Sequence, residues 1–246
     1  MHRFFVEENQ IDESSITICG DDVNHITNVL RLSTKEEIII SNRQGQEYCC
    51  IIDVLEREFV KCKILSVQQS IQELPTKIYL FQGLPKQDKM ELIIQKSVEL
   101  GVYEIIPVVM ARSIVKINQQ NKEKKNDRWQ KIATAAAKQS HRATIPRVTV
   151  PMTFDEALQY AEKLGNIIVP YEKATSANDS KEIFLQASNY DTIGVFIGPE
   201  GGFDEIEIQR LITMEASIVS LGKRILRTET AGMVVLSILM FNLEVE

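Results

Sequence analysis

Ile193-Gly194-Val195-Phe196-Ile197-Gly198-Pro199-Glu200-Gly201-Gly202-Phe203 decides how the second half of this chain is read. Its opening run has no polar face, so it reads as a parallel strand covered by helices on both sides. The run breaks at once into a glycine turn, after which Asp204 and Glu207 have the capping-box spacing of a helix start. Ile206, Leu211 and Ile212 supply that helix with an apolar face. A second short strand follows from Ser217 to Leu221. Gly222-Lys223-Arg224-Ile225-Leu226-Arg227-Thr228-Glu229-Thr230-Ala231-Gly232 then feeds a last helix that is apolar almost all round. Two strand-to-helix loops therefore stand beyond the carboxyl ends of neighbouring strands, where open α/β sheets hold ligands.

The glycine turn carries neither G-x-G-x-x-G nor G-x-x-x-x-G-K-[ST], and Glu200 inside it would repel a phosphate. A neutral or cationic cofactor fits better, and a tight turn that binds nothing is the plainer alternative. The second loop adds weight to a site. Arg224 and Arg227 stand just ahead of a helix whose N-cap reads as Thr228, the end at which the helix dipole disfavours cations. Local rules are broken mostly at functional sites, although a salt bridge to Glu200 or Glu229 is the structural alternative.

Gly198 to Phe203 together with Leu221 to Ala231 resemble the signature of the RsmE family, S-adenosylmethionine-dependent methyltransferases of the SPOUT superfamily. These methylate ring nitrogen N3 of a uridine in small-subunit (16S) ribosomal RNA. The resemblance extends along the chain through His2-Arg3-Phe4-Phe5-Val6, His25 with Val29-Leu30-Arg31-Leu32, Lys96 to Gly101, and Gln139-Ser140 with Arg142. It implies an α/β SPOUT domain with a mainly parallel sheet and a C-terminal trefoil knot, preceded by a small PUA-like, RNA-binding β-barrel. Topology rules make knots very rare, so the knot rests on the resemblance alone. The resemblance also implies that S-adenosyl-L-methionine is held by Pro170 and Tyr171, by Gly198, Glu200, Gly201 and Gly202, and by Leu221, Gly222, Ile225, Leu226, Arg227 and Thr230.

Composition is consistent with this division. The 246 residues suffice for one large or two smaller domains with real cores. His2-Arg3-Phe4-Phe5-Val6 is too short for the apolar part of a secretory signal, no run reaches membrane-spanning length, and a cytoplasmic protein is expected. Cys19, Cys49, Cys50 and Cys62 form no C-x-x-C pair and His2, His25 and His141 are scattered, so reduced thiols and no metal are expected. The net charge of −6 conceals an asymmetry: residues 76–147 carry 14 Lys and Arg against 6 Asp and Glu, while both flanking segments are acidic. Local basic surface, rather than total charge, draws a phosphate backbone.

Closely spaced strands at His2 to Val6, Ser15 to Ile18, Glu37 to Ser41, Glu47 to Leu55 and Glu58 to Val67, with a short helix over Val23 to Leu30, read as a β domain over residues 1–72. Residues 73–246 alternate strand and helix: a strand from Lys77 to Gln82, a helix from Asp88 to Leu100 capped by Asp88 and Glu91, a strand from Glu104 to Met110, a helix around Asp127 to His141, another helix capped by Thr153 and Glu156, and a strand from Asn166 to Pro170. The apolar last helix is either a core element or half of a dimer seam, and the resemblance implies a homodimer.

The reaction implied is direct displacement: a uridine leaves its stack, loses its imide proton and receives the methyl group. Arg227 is the candidate to stabilise the developing uracil anion, and Glu229 is a possible base or a cap. Arg3, Arg31, Lys86, Lys89, Arg112 and Arg142 are candidate RNA contacts, against a solvated-surface alternative. Two rival functions remain open: ribose 2′-O-methylation of transfer RNA, and a non-catalytic RNA-binding ribosome-assembly factor.

Overall fold

The structure, a computed structural model, describes residues 1–86, 88–114, 119–174 and 177–244. The chain divides into two compact units, residues 1–73 with 137–145, and residues 74–136 with 146–246. Residues 137–145 thus gather with the first unit, although sequence order counts them in the second domain.

The first unit holds β1 (His2–Phe5), β2 (Ser15–Cys19), α1 (Asp21–Asn24), β3 (Glu37–Ser41), β4 (Gln46–Leu55) and β5 (Phe59–Gln69). They form one sheet in the order β1-β3-β4-β5-β2, with β1 parallel to β3 and the other pairs antiparallel. Val23 to Leu30 is less regular than expected, because α1 gives way to a π-turn at His25–Val29. Alternate side chains, among them Phe4, Ile16, Ile18, Ile38, Ile40, Ile52 and Val60, build the core. Cys50 and Cys62 lie inside it, and burial pushes both thiols up to about 12, which leaves them inert.

Two arginines hold this unit together from within. Arg142 is 3% exposed and its Nε donates to Glu73 at 3.0 Å, while the same carboxylate accepts from the Ala143 N–H at 2.9 Å. Arg3 is buried against Glu47. Neither guanidinium is presented to solvent, which corrects their assignment as RNA contacts: each is paired with a carboxylate, that of Glu47 buried and that of Glu73 half-buried.

The second unit runs β6 (Lys77–Gly83), α2 (Lys89–Glu99), β7 (Glu104–Val109), α3 (Gln119–Gln139), β8 (Arg147–Val148), β9 (Met152–Thr153), α4 (Phe154–Ala161), β10 (Asn166–Pro170), α5 (Ala177–Leu185), β11 (Thr192–Ile197), α6 (Glu205–Thr213), β12 (Ser217–Val219) and α7 (Thr228–Leu243). The end of α3, from residue 137, belongs to the first unit. The sheet order is β12-β10-β11-β6-β7-β8, β9 also pairs with β7, and every pairing is parallel. Helices cover both faces. Phe81 of β6 stacks on Phe196 of β11 at 4.2 Å, in one cluster with Phe154, Leu158, Ile208 and Leu211 of α4 and α6. The neighbouring Gln82 faces the other way and meets α7, whose neighbour is α2.

Several local expectations change. Asp204 and Thr153 do build capping boxes, with Asp204 accepting from the Ile206 N–H at 3.1 Å and Thr153 from the Glu156 N–H at 3.3 Å. Asp88 is the N-cap of α2 but makes no side-chain cap, the Glu91 N–H going to its backbone carbonyl at 3.0 Å, and the Glu91 carboxylate pairs with Arg128. On α6 the buried face is Glu207, Ile208 and Leu211, while Ile206 and Ile212 point outward. The N-cap of α7 is Arg227 rather than Thr228, whose hydroxyl is used elsewhere. That helix is not buried on every face, since Phe241 is 81% exposed and Met233, Val234, Ile238 and Met240 are half-buried.

Glu73 gives the first test. Burial raises its proton affinity, but hydrogen bonds and charge from Arg142, with those from Thr144, more than offset that and hold its pKa below the usual carboxylate value. A depressed folded pKa stabilises the protein above the unfolded value, and that contribution is lost as pH falls through the folded one. Glu73→Ala should therefore destabilise the protein by about 3 kcal/mol at neutral pH by leaving Arg142 uncompensated. Denaturant melts of the two proteins should converge as the solution is acidified below the carboxylate range; an equal gap at all pH values would contradict the assignment.

Candidate active site

Because every strand of the second sheet runs the same way, the loops after β6, β7, β10, β11 and β12 share one rim. There a cavity of about 410 Å³ opens between the loops after β10, β11 and β12 and the first turn of α7. Pro170, Tyr171, Gly198, Glu200, Gly202, Leu221, Gly222, Ile225, Leu226 and Arg227 all line it. Two residues of the same proposed set do not. Gly201 faces Arg112, whose Cβ would lie 3.0 Å from an added Cβ, and Thr230 stands off the helix face that Thr228 and Ala231 present to the cavity.

The glycine turn is held by its neighbours. Gly202 has φ +69°, a conformation that any other residue enters at a cost, and its N–H donates to the Pro199 carbonyl at 2.9 Å. Gly83, at the end of β6, allows a close approach, since a Cβ there would meet Pro199 N at 2.6 Å. Glu200 reaches back across the rim to accept from the Lys86 N–H at 3.0 Å, and its carboxylate lies 3.2 Å from Lys89 Nζ. Burial pushes the Glu200 carboxyl up, but the N–H groups of Lys86 and Glu200 and the charge of Lys89 outweigh it and hold the group below its usual value. Glu207, buried at the start of α6, accepts from the Ala111 N–H at 2.8 Å and so ties in the loop after β7.

Lys89 is the correction with most consequence. It lines the cavity and bridges Glu200 to Glu229, 3.4 Å from Glu229 Oε2, rather than projecting as a phosphate contact. The ion pairs considered for Arg224 and Arg227 are thus made by a lysine 138 to 135 residues earlier in the chain, on α2. Among the described residues Lys223, Arg224 and Arg227 make no ion pair and stay exposed at the cavity edge. Arg112 hydrogen-bonds Gly201 O at 3.2 Å and approaches Asp204 at 3.5 Å, bracing the turn from outside. Arg31 and Lys86 are exposed, and Arg31 has φ +53°.

Sequence reasoning gave no individual role to Glu172, Phe203 or Gln82, and gave Thr228 only that of a helix cap. Glu172 lines the cavity with Oε2 beside Gly202. Thr228 donates to the Gly198 carbonyl at 2.6 Å and accepts from Gln82 Nε2 at 2.9 Å. The one available signal was the polar Gln82 inside an apolar strand.

This lining suits S-adenosylmethionine. Apolar Ile197, Phe203, Leu221, Ile225 and Leu226 can take a flat base, and the lining also holds both carboxylates and cations, which suits a ligand carrying both signs. Among the described residues no group of His, Cys, Asp and Glu is placed to hold a metal ion.

Fold and cavity belong to a known class. The family described as RNA methyltransferase domain matches residues 72–240, and that described as RNA methyltransferase PUA domain matches residues 18–65. Ribosomal RNA small subunit methyltransferase E of Bacillus subtilis is 37% identical, covering 99% of this chain and 98% of its own. The crystal structure of ribosomal RNA small subunit methyltransferase E from Neisseria gonorrhoeae bound to S-adenosyl methionine superimposes with a TM-score of 0.83 at 32% identity, covering 96% of this chain and 95% of that one. A methyltransferase structure from Legionella pneumophila with the cofactor bound gives 0.83 at 30% identity over 97% and 96%. The chain belongs to the ribosomal RNA small subunit methyltransferase E family.

Lys89→Met removes the cation between two carboxylates. The Glu200 carboxyl should then titrate at higher pH, as followed by carbon NMR of labelled glutamate side chains. An unmoved midpoint would show that the backbone N–H groups alone set it.

Proposed function

We propose that this protein transfers a methyl group from S-adenosyl-L-methionine to N3 of a uridine in 16S ribosomal RNA. The observation that carries the reading is the single cavity lined by both signature turns, with Arg227 at its edge. Pro170, Tyr171, Gly198, Gly202, Leu221 and Leu226 would hold the cofactor, which supplies an electrophilic methyl group on a sulfonium. Arg227, the N-cap of α7, is held by the helix start yet keeps its guanidinium exposed, so it is placed to face negative charge that develops on a uracil ring. Glu229 is better suited to fixing Lys89 than to taking the imide proton, because its Oε2 is turned to that ammonium. Arg31, Lys86 and the basic first half of α3 are the RNA contacts proposed in place of Arg3 and Arg142. Action on ribosomal RNA supports a cytoplasmic protein, and no helix among the described residues is long and apolar enough to cross a membrane.

Ribosomal small subunits from a strain lacking the protein, incubated with it and labelled cofactor, should gain 3-methyluridine by nucleoside mass spectrometry. A 2′-O-methylated nucleoside in transfer RNA would replace this reading with the ribose reaction, and cofactor binding too weak to detect would favour the assembly factor. Arg227→Ala should lower kcat on the order of a hundredfold while RNA binding persists. The same reading extends to the trefoil knot, supported by the return of α7 to α2 after β12 has crossed to the far side of β10; a crystal structure with an unthreaded C-terminus would count against it.

It extends also to a twofold homodimer. The outward row of Val234, Ile238 and Phe241 on α7 supports a seam, since a helix with apolar residues on its solvent side gains by being covered. Light scattering should give twice the chain mass, and Phe241→Asp should shift it toward one chain; a monomeric parent protein would dismiss the seam.

A further inference from the structure

Gln82 is fully buried near the end of β6, between Ile197 of β11 and Pro107 of β7, in a strand whose neighbours Leu80 and Phe81 are apolar. A buried amide has to use its hydrogen-bonding groups or weaken the fold. Both donors of Gln82 are spent, since Nε2 donates to the Gly83 carbonyl at 2.9 Å and to Thr228 Oγ1 at 2.9 Å, whereas its buried Oε1 has no partner among the described residues. A threonine hydroxyl carries one proton. Because Oγ1 accepts from Gln82, that proton is free to go to the Gly198 carbonyl, 2.6 Å away. The order of donation is therefore fixed, from the Gln82 amide through the Thr228 hydroxyl to the Gly198 carbonyl.

The middle and the far end of this relay, Thr228 and Gly198, are parts of the cofactor cavity. Gly198 begins the glycine turn after β11, and Thr228 is the first residue of α7, next to Arg227. Gly198 and Thr228 are 30 residues apart in the chain, and Gln82 lies 146 residues before Thr228. Gly83 presses on Pro199 from the same strand end, where a Cβ would lie 2.6 Å from the proline nitrogen. Gly232, one turn into α7, has no side chain to fill the space beside Gln82 Oε1, where a Cβ would stand 3.7 Å away. One buried glutamine thus locks the start of α7 against the glycine turn.

We infer that Gln82 is a positioning residue for methyl transfer. It acts through Thr228 to fix the Gly198 carbonyl against the first turn of α7, and so sets the spacing between the cofactor turn and Arg227. This rests on the methyltransferase reading above. Loss of the relay lets the two loops drift, and displacement on the order of an ångström at a reacting centre lowers the rate about a hundredfold.

Gln82→Met keeps the volume and removes both donors, Thr228→Val keeps the shape and removes the hydroxyl, and Thr228→Ser keeps the hydroxyl. Cofactor affinity by calorimetry, kcat on small subunits and RNA affinity are measured for each, at a temperature where thermal melts show it folded. Gln82→Met and Thr228→Val should each weaken cofactor binding and lower kcat by about tenfold to a hundredfold, with RNA affinity unchanged. Thr228→Ser should retain the parent values, and the double variant should be no worse than either single one. If the parent protein binds the cofactor and methylates RNA while Gln82→Met matches it, the inference is wrong and the function stands. Should Gln82→Met not fold, the valine and serine variants at 228 decide: equal impairment in both would overturn the relay. A parent protein without cofactor binding would instead remove the function on which the relay depends.

Discussion

Parallel pairing of β11 between β10 and β6 is the constraint from which the site follows. It sends the carboxyl ends of three strands, and of β12 beside β10, to one rim, and it leaves each loop there with backbone groups that helices and strands do not satisfy. The loops satisfy one another. Glu200 takes the Lys86 N–H, Glu207 takes the Ala111 N–H, and the Tyr171 N–H reaches the Val219 carbonyl at 3.0 Å. Each bond ties a rim loop to a neighbouring loop, helix or strand, so the cavity walls are braced sideways as well as by the strands beneath. A site built in this way holds its shape before a ligand arrives.

What could be read from the sequence was what local chemistry dictates. The apolar runs at Ile193 to Ile197 and Asn166 to Pro170, the boxes at Thr153 and Asp204, and the two signature turns depend on neighbours a few residues away. The short strands β8 and β9 escaped notice because two residues carry no period. Ile206 and Ile212 misled because burial of α6 is decided by its rotation on the sheet, which puts Glu207 inside. Arg3 and Arg142 looked like RNA contacts because positive charge in sequence carries no sign of a carboxylate waiting 44 or 69 residues away. Lys89 is the same error in the active half of the molecule. Its partners stand on the glycine turn and on the first turn of α7, which only the tertiary fold brings together.

That lysine also explains how a chain with more acidic than basic residues keeps positive charge at its cavity. With Lys89 taking both carboxylates, Arg224 and Arg227 are left exposed, at the helix end where the dipole resists them. A cation kept unpaired against both local forces has positive potential to offer an incoming anionic group. The acidic residues of the rim thus hold the half-buried Lys89 and backbone N–H groups, while Arg224 and Arg227 face outward.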